Sequence, residues 1–151
     1  ILKQENFNHF RFDYYADDWK DPYLGLTPRE NIERIVMDCQ KFIASFEDSY
    51  DNILVYGNTG VGKTFLINCI AKEILDMSYT VVYLTSFQFF DIMEKHTFSR
   101  SLEEKTEATH QFEHIFDCDL LIIDDLGTET LNSFIASQLY QCINERHLHK
   151  K

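Results

Sequence analysis

An α/β fold, in which a mostly parallel sheet lies between two layers of helices, is predicted by three features of the sequence. Short apolar, β-branched stretches of strand length alternate along the chain with longer stretches of helical period. A glycine-rich turn joins the first of these strands to its helix, and a later strand ends in two aspartates. Such alternation is typical of parallel sheets that are covered by helices on both faces.

Local patterns define the individual elements in chain order. Thr27 and Glu30 form a capping box around Pro28, which predicts a helix start, and a second capping box begins at Ser101. Short β-branched runs indicate strands, and apolar residues three or four apart indicate helices. The predicted elements are an extended stretch (6–22) within a lead-in segment (1–26), a helix (28–46), a strand (52–56), a helix (63–77), a strand (79–84), a helix (87–96), a helix (101–116), a strand (119–125) and a helix from Thr130.

The glycine-rich turn has the pattern of a phosphate-binding loop. Residues 57–64, GNTGVGKT, match GxxxxGK[ST] at every defined position, between a predicted strand and a predicted helix. Glycines let backbone N–H groups turn toward a pyrophosphate, and the helix N-terminus favours anions. Lys63 is expected to reach the β- and γ-phosphates, and Thr64 to bind Mg²⁺ through its hydroxyl group. The predicted nucleotide-binding residues are Gly57, Asn58, Thr59, Gly60, Val61, Gly62, Lys63, Thr64 and Phe65.

The paired acids form a second candidate site. Four apolar residues precede Asp124 and Asp125, and ligands of open α/β sheets bind at the carboxyl ends of the strands. Asp124 is expected to hold Mg²⁺ directly or through a water, and Asp125 to act as the general base toward the attacking water. Two adjacent carboxylates repel each other, so a divalent cation is the expected compensation. The alternative is a solvated strand end that carries two acids.

Composition limits the remaining function classes. The chain has 151 residues with 44% hydrophobic content, which suits one domain with a sizeable core. It lacks both a run of about 20 apolar residues and a signal-peptide pattern, which predicts a cytoplasmic protein without a membrane partner. The net charge of −11 argues against a broad basic surface for nucleic acid. The basic residues from Arg146 onward are interpreted as a solvated helix end.

Cysteine and histidine residues offer only weak metal patterns. The chain's cysteines are far apart in apolar patterns, which predicts buried, reduced thiols. His110, His114 and Cys118 are four residues apart along a predicted helix. Packed or solvated side chains are favoured there over a zinc site, because the sequence offers no obvious fourth ligand or orienting partner.

Three blocks of the sequence resemble the bacterial helicase-loader ATPases of the DnaC and DnaI type, which are AAA+ proteins, with the transposition helper IstB as a close relative. The blocks are YGNTGVGKTFLINCIAKEIL, YTVVYLTSFQFFDIM and CDLLIIDDLGTET, and the lead-in FNHFRFDYY is similar to the family's segment ahead of the core. The resemblance implies a P-loop NTPase fold of the AAA+ (ASCE) type, ATP and Mg²⁺ as ligands, and a primosome ATPase that is slow without partner subunits. It also implies a replicative helicase and single-stranded DNA as partners, and a homo-oligomer formed through the ATP site.

The family pattern extends past the end of this sequence. A sensor strand, an arginine finger and a helical lid follow the acidic strand in the family, and the sensor strand lies between the strand before the phosphate loop and the acidic strand. We therefore expect residues 27–151 to be a partial AAA+ core, incomplete at the C-terminus, of a longer protein. The family layout also suggests an adenine contact within residues 10–14.

Other functions remain open at this stage. A transposition helper ATPase of the IstB type would have the same core. A nucleotide-gated adaptor would bind ATP with little turnover. A P-loop kinase for a small metabolite is less favoured, since it needs arginines in a lid and none occurs between Arg34 and Arg100.

Overall fold

The computed structural model describes residues 4–99, 101–127 and 133–151, which fall into two compact units, Ile1–Asp76 and Met77–Lys151. The first unit contains two short 3₁₀ turns, Phe7–His9 and Phe12–Tyr14, and the helices α1 (Pro28–Ala44) and α2 (Lys63–Asp76). The second contains β1 (Val81–Thr85), α3 (Ser86–Phe98), α4 (Leu102–Asp117), β2 (Leu120–Asp124) and α5 (Ser133–Leu148). The division into a lead-in (1–26) and a core (27–151) stays a prediction. Within the described ranges, no helix is long and apolar enough to cross a membrane.

The capping box at the start of α1 is confirmed. The Thr27 hydroxyl accepts a 3.1 Å hydrogen bond from the Glu30 N–H, and the Glu30 carboxylate accepts a 2.8 Å bond from the Thr27 N–H. These bonds satisfy backbone donors that a helix start otherwise leaves without partners, and such a cap typically contributes about 1 kcal/mol. The helix runs to Ala44, two residues short of its predicted end.

The core of the first unit lies between α1 and α2. Apolar side chains three or four residues apart along each helix share one buried face, as the sequence pattern predicts. They are Ile32, Val36, Cys39, Leu66, Cys69, Ile70, Ala71 and Ile74. Because α2 begins at Lys63, the packing of this helix also positions the end of the phosphate loop.

The predicted strand at residues 52–56 is wrong for this structure. The segment is irregular, and the side chains of Leu54 and Tyr56 are 76% and 87% exposed. A strand needs a neighbour for its backbone N–H and C=O groups. The described sheet has two strands, β1 and β2, which pair with each other. An apolar, β-branched sequence is therefore insufficient to form a strand here.

The predicted parallel pairing is confirmed in the second unit. β1 and β2 are parallel, with Tyr83 opposite Ile122 and Thr85 opposite Asp124. The two strands therefore end at the same edge of the sheet. Helices α3, α4 and α5 supply the core cluster beside them, which consists of Phe89, Phe90, Ile92, Met93, Ile115 and Cys142.

Two local predictions are wrong in part, and a third falls partly outside the residues that the structure describes. The lead-in segment is not extended throughout, because its aromatic side chains pack together over two 3₁₀ turns. Helix α4 begins after Ser101 as expected, but the Ser101 side chain makes no capping hydrogen bond. Helix α5 is described from Ser133, and Thr130 lies outside the described residues.

Arg146 is buried, which corrects its interpretation as part of a solvated helix end. Its side chain donates hydrogen bonds of 2.8 Å to the Ile115 carbonyl, 2.9 Å to the Cys118 carbonyl and 3.2 Å to the Asp119 carbonyl. The last carbonyls of a helix have no partner inside the helix, so the guanidinium caps the end of α4. Lys151 is also paired, at 2.9 Å from the Asp119 carboxylate.

The cysteines are buried free thiols, as predicted. Burial raises the pKa of Cys39 to about 11, of Cys69 to about 12 and of Cys142 to about 11. Burial likewise raises the pKa of Cys118, against the opposing effect of Arg146. These thiols are therefore protonated at neutral pH and behave as small apolar side chains.

Candidate nucleotide-binding site

Residues 57–64 form a turn that leads directly into α2. Gly60 and Gly62 have φ angles of +81° and +93°, in the left-handed region that side chains disfavour. The Leu66 N–H donates a 3.0 Å hydrogen bond to the Gly62 carbonyl, which starts the helical pattern at the end of the loop. The glycine positions of the motif thus coincide with backbone conformations that favour glycine.

The Lys63 side chain folds back over the loop. Its ammonium group donates hydrogen bonds of 3.0 Å to the Gly57 carbonyl and 2.9 Å to the Asn58 carbonyl. The positive charge therefore lies at the loop that the sequence predicts to hold phosphates. Neutral carbonyls are weaker partners for an ammonium than phosphate oxygens are.

The other residues predicted to bind nucleotide lie close to Lys63 in the sequence and differ in their exposure to solvent. Asn58, Thr59 and Val61 are exposed, as is Thr64 in the first turn of α2. Phe65 is half-buried, and its ring lies 5.8 Å from that of Phe10 in an edge-on arrangement. The structure therefore brings one lead-in aromatic residue to the start of α2. Tyr14, by contrast, is 76% exposed, although it belongs to the segment suggested for adenine.

Tyr15 is a site residue that sequence reasoning missed. Its hydroxyl group donates a 2.9 Å hydrogen bond to the Val61 carbonyl, inside the phosphate loop. A Cβ atom placed on Gly62 would lie 2.9 Å from the same hydroxyl oxygen, so a side chain there would force the end of Tyr15 to shift. Tyr15 and Val61 are 46 positions apart, and no local pattern signals such a contact.

In the second unit, Asp124 and Asp125 lie at the carboxyl end of β2. The Asp124 carboxylate accepts hydrogen bonds from the Tyr83 hydroxyl and, at 2.9 Å, from the Asp125 N–H. Asp125 is exposed and has a φ of +57°, which aspartate tolerates better than most residues. The Ser86 hydroxyl donates to the Asp125 carbonyl at 3.1 Å. The chain therefore turns sharply between the two acids.

Sequence reasoning also missed the roles of Tyr83 and Ser86. A usable signal existed for Tyr83, because side chains two residues apart on a strand share a face. In the observed register Tyr83 is the diagonal neighbour of Asp124 on the parallel strand. Aligning the carboxyl ends of the two strands in the sequence would have placed the side chains of Tyr83 and Asp124 on one face of the sheet.

The residues present fit the groups that the motifs imply. A cradle of left-handed glycines with a lysine suits a polyphosphate. The Thr64 hydroxyl and the Asp124 carboxylate offer hard oxygen ligands, which Mg²⁺ prefers. Assignment of these residues to ATP and Mg²⁺ stays a prediction.

The alternative metal pattern is not assembled. His110 is exposed and lies 3.6 Å from the Glu113 carboxylate, and His114 is also exposed. Cys118 is buried, where its sulfur accepts a 3.4 Å hydrogen bond from Arg146. In the ranges that the structure covers, no group of three His, Cys, Asp or Glu side chains could hold a metal ion.

Comparisons with known proteins agree with the fold class and narrow the family. A model described as the bacterial DnaA ATPase domain matches residues 32–151. Curated relatives are named chromosomal replication initiator protein DnaA. The one from Campylobacter fetus subsp. fetus is 32% identical over 101 residues, which is 67% of this chain and 22% of the relative. The one from Helicobacter hepaticus is 31% identical over 104 residues, or 68% of this chain and 21% of the relative.

A third relative, from Helicobacter acinonychis, is 29% identical over 112 residues, which is 74% of this chain and 24% of the relative. The chain therefore spans between a fifth and a quarter of the length of these relatives. No solved structure matches the chain significantly.

The predicted AAA+ fold class is confirmed by the family match, which covers most of α1, the phosphate loop and both strands. The comparisons support the replication-initiator branch of AAA+ proteins, and they do not single out helicase loaders. With a glycine-rich loop ahead of α2, paired acids at the carboxyl end of β2 and a family match over residues 32–151, the chain belongs to the bacterial DnaA ATPase domain family of AAA+ proteins.

Proposed function

We propose that this chain binds ATP with Mg²⁺ and hydrolyses it, and that the intact protein uses this activity to load a replicative helicase onto DNA. One observation carries the nucleotide part of the proposal. Left-handed glycines and the Lys63 ammonium group meet in a single loop at the start of α2. This is the arrangement that a polyphosphate requires.

In the proposed complex, Lys63 exchanges the Gly57 and Asn58 carbonyls for β- and γ-phosphate oxygens. The exchange is favourable because a charged acceptor strengthens the hydrogen bond of an ammonium group. Bound Mg²⁺ would neutralise phosphate charge, with Thr64 and Asp124 as its protein ligands. Asp125 orients the attacking water and accepts its proton.

An arginine from a neighbouring subunit is part of the proposal. Such arginines stabilise the charge of the transition state and increase the rate by about 10³–10⁵. We therefore propose a homo-oligomer that is joined at the ATP site, in which isolated subunits bind ATP but hydrolyse it slowly.

The helicase-loading role rests on the sequence blocks around the phosphate loop, β1 and β2 that resemble the DnaC and DnaI type. A second candidate role, as a replication initiator, is favoured by the relatives that carry this name. The two roles differ in their first partner. A loader binds the replicative helicase and delivers it to single-stranded DNA, whereas an initiator binds duplex DNA at an origin.

The deciding experiment uses the intact protein with ATP and Mg²⁺. Phosphate release is measured alone, with the host replicative helicase, and with helicase plus single-stranded DNA. Stimulation by the helicase, together with its co-elution in an ATP-dependent complex, would support loading. Stimulation by origin duplex without helicase binding would support the initiator role instead.

The same assay tests the remaining alternatives. Transfer of phosphate to a metabolite would identify a kinase, and tight ATP binding without turnover under every condition would identify an adaptor. ATP-dependent binding to a transposase, without helicase binding, would point to a transposition helper. Absence of ATP binding by the intact protein would overturn the proposal as a whole.

A further inference from the structure

The lead-in segment makes hydrogen bonds to both helices of the first unit, α1 before the phosphate loop and α2 after it. At one end, the Glu5 carboxylate accepts a 2.7 Å hydrogen bond from the side chain of Asn68, a buried residue of α2. At the other end, the Ala16 carbonyl accepts a 3.1 Å hydrogen bond from the Arg29 N–H in the first turn of α1. The segment between Glu5 and Ala16 is therefore anchored to α2 at one end and to α1 at the other.

Aromatic contacts continue from this segment to the start of α2. The Phe10 ring lies parallel to the Tyr15 ring, with centroids 6.2 Å apart, and meets Phe65 edge-on at 5.8 Å. Phe65 directly follows the last residue of the phosphate loop. Tyr15 is thus supported on its ring face by Phe10 while its hydroxyl group reaches Val61.

The bond from Tyr15 to Val61 determines which way one peptide group faces. The C=O of Val61 and the N–H of Gly62 belong to the same trans peptide, so they point in opposite directions. With its carbonyl held by Tyr15, this peptide directs the Gly62 N–H away from the tyrosine. A peptide group next to a glycine reorients at low steric cost, because both signs of φ are open to glycine.

We propose that Tyr15 is a positioning residue for the phosphate loop, which holds the Val61–Gly62 peptide with its N–H available to phosphate. The inference rests on the proposed nucleotide binding. Without the tyrosine hydroxyl group, the loop also samples the flipped peptide. In that orientation the Val61 carbonyl oxygen, an acceptor, takes the place of the Gly62 N–H donor and repels an anion. Glycine at position 62 suits both its φ of +93° and the close approach of the Tyr15 hydroxyl.

The test compares Tyr15→Phe with Tyr23→Phe in the intact protein. Both changes remove one phenolic oxygen from the lead-in, but Tyr23 is 96% exposed and lies outside the segment suggested for adenine. We expect Tyr15→Phe to weaken binding of Mg·ADP and of inorganic pyrophosphate by the same factor, about three- to tenfold, which is the usual effect of one hydrogen bond. Tyr23→Phe should leave both affinities within twofold.

Pyrophosphate separates a loop effect from an adenine effect, because it lacks the base. If Tyr15→Phe weakened ADP binding but left pyrophosphate binding unchanged, Tyr15 would act on the base, and our assignment would be overturned. Unchanged affinity for both ligands would overturn it equally. If the wild-type protein bound neither ligand, the proposed nucleotide function itself would have failed.

A spectroscopic measurement reports the peptide directly. Valine labelled at the carbonyl carbon and glycine labelled at nitrogen together select the Val61–Gly62 peptide when this 151-residue chain is studied, since Val-Gly occurs once in it. We expect Tyr15→Phe to shift and broaden this signal in the absence of ligand, and Tyr23→Phe to leave it in place. An unchanged signal in Tyr15→Phe would contradict the positioning role even if affinity fell.

Discussion

The ammonium group of Lys63 donates a 3.0 Å hydrogen bond to the carbonyl oxygen of Gly57, the first residue of its own loop. A second bond, to the Asn58 carbonyl, has a length of 2.9 Å. The lysine side chain thus closes the loop and keeps its positive charge at the carbonyls of Gly57 and Asn58.

Lys63→Ala should abolish measurable ATP binding while leaving the fold intact. Loss of a charged partner of phosphate typically costs about 2–5 kcal/mol, or roughly 30-fold to several thousand-fold in affinity. Calorimetric titration with Mg·ATP measures the effect. Lys72→Ala is the matched control, because Lys72 lies on the same helix and pairs with Asp76. Equal affinity in the two variants would contradict the assignment.

Asp125→Asn should retain ATP binding within about twofold and lose hydrolysis by about 10²–10⁴-fold, the usual range for a general base. Asparagine suits this position because it tolerates the left-handed backbone seen at Asp125. Phosphate release at high protein concentration measures the effect. Asp117→Asn, an exposed acid at the end of α4, is the control. Unchanged turnover in Asp125→Asn would rule out its role as base.

Arg146→Met should lower the free energy of unfolding by about 2–4 kcal/mol, since it leaves the carbonyls at the end of α4 buried without a donor. Urea titration followed by circular dichroism measures the change. Arg34→Met provides the comparison, because Arg34 is exposed on α1 and its replacement should cost less than about 0.5 kcal/mol. Similar losses in both variants would show that Arg146 does not act as a buried cap.

Asp119 should make stability sensitive to acid. Burial raises the pKa of this carboxyl. The Thr80 N–H, the Thr80 hydroxyl and the Lys151 ammonium together lower it by more, so the net pKa is about 2. A lowered folded-state pKa stabilises the protein above the unfolded value of 3.8, and this contribution is lost as the pH falls from about 4 to about 2. With the side chain partly exposed, we expect about 1 kcal/mol.

Asp119→Asn should therefore be less stable than the wild type near pH 7, and the difference should disappear near pH 2. Chemical denaturation at a series of pH values measures it. Asp38→Asn removes an exposed partner of Lys41 and should change stability little at any pH. A difference between Asp119→Asn and the wild type that stayed constant down to pH 2 would contradict the titration of Asp119.

The buried thiols should resist alkylation in the folded protein. Their raised pKa values leave little thiolate at pH 8, and burial blocks access. Iodoacetamide labelling followed by peptide mass spectrometry should find Cys39, Cys69, Cys118 and Cys142 labelled only after denaturation. Fast labelling of any of them in the native protein would show that its surroundings open readily.

The helices and the phosphate loop were predictable from sequence because their determinants are local. The Thr27 and Glu30 capping box, the apolar stripes of α1 and α2, and the glycine pattern of residues 57–64 each act within a few residues. Hydrogen bonds between near neighbours and backbone sterics decide such features. The parallel pairing of β1 and β2 also followed from the alternation of strands and helices.

Features that join distant residues were decided only by the tertiary structure. Residues 52–56 have a strand-like sequence but form no strand, because backbone pairing depends on a neighbour. The sequence predicted a solvated charge at Arg146, whereas in the folded chain its guanidinium caps buried carbonyls at the end of α4. The bond from Tyr15 to the Val61 carbonyl spans 46 positions, and only the folded chain brings that donor and acceptor together.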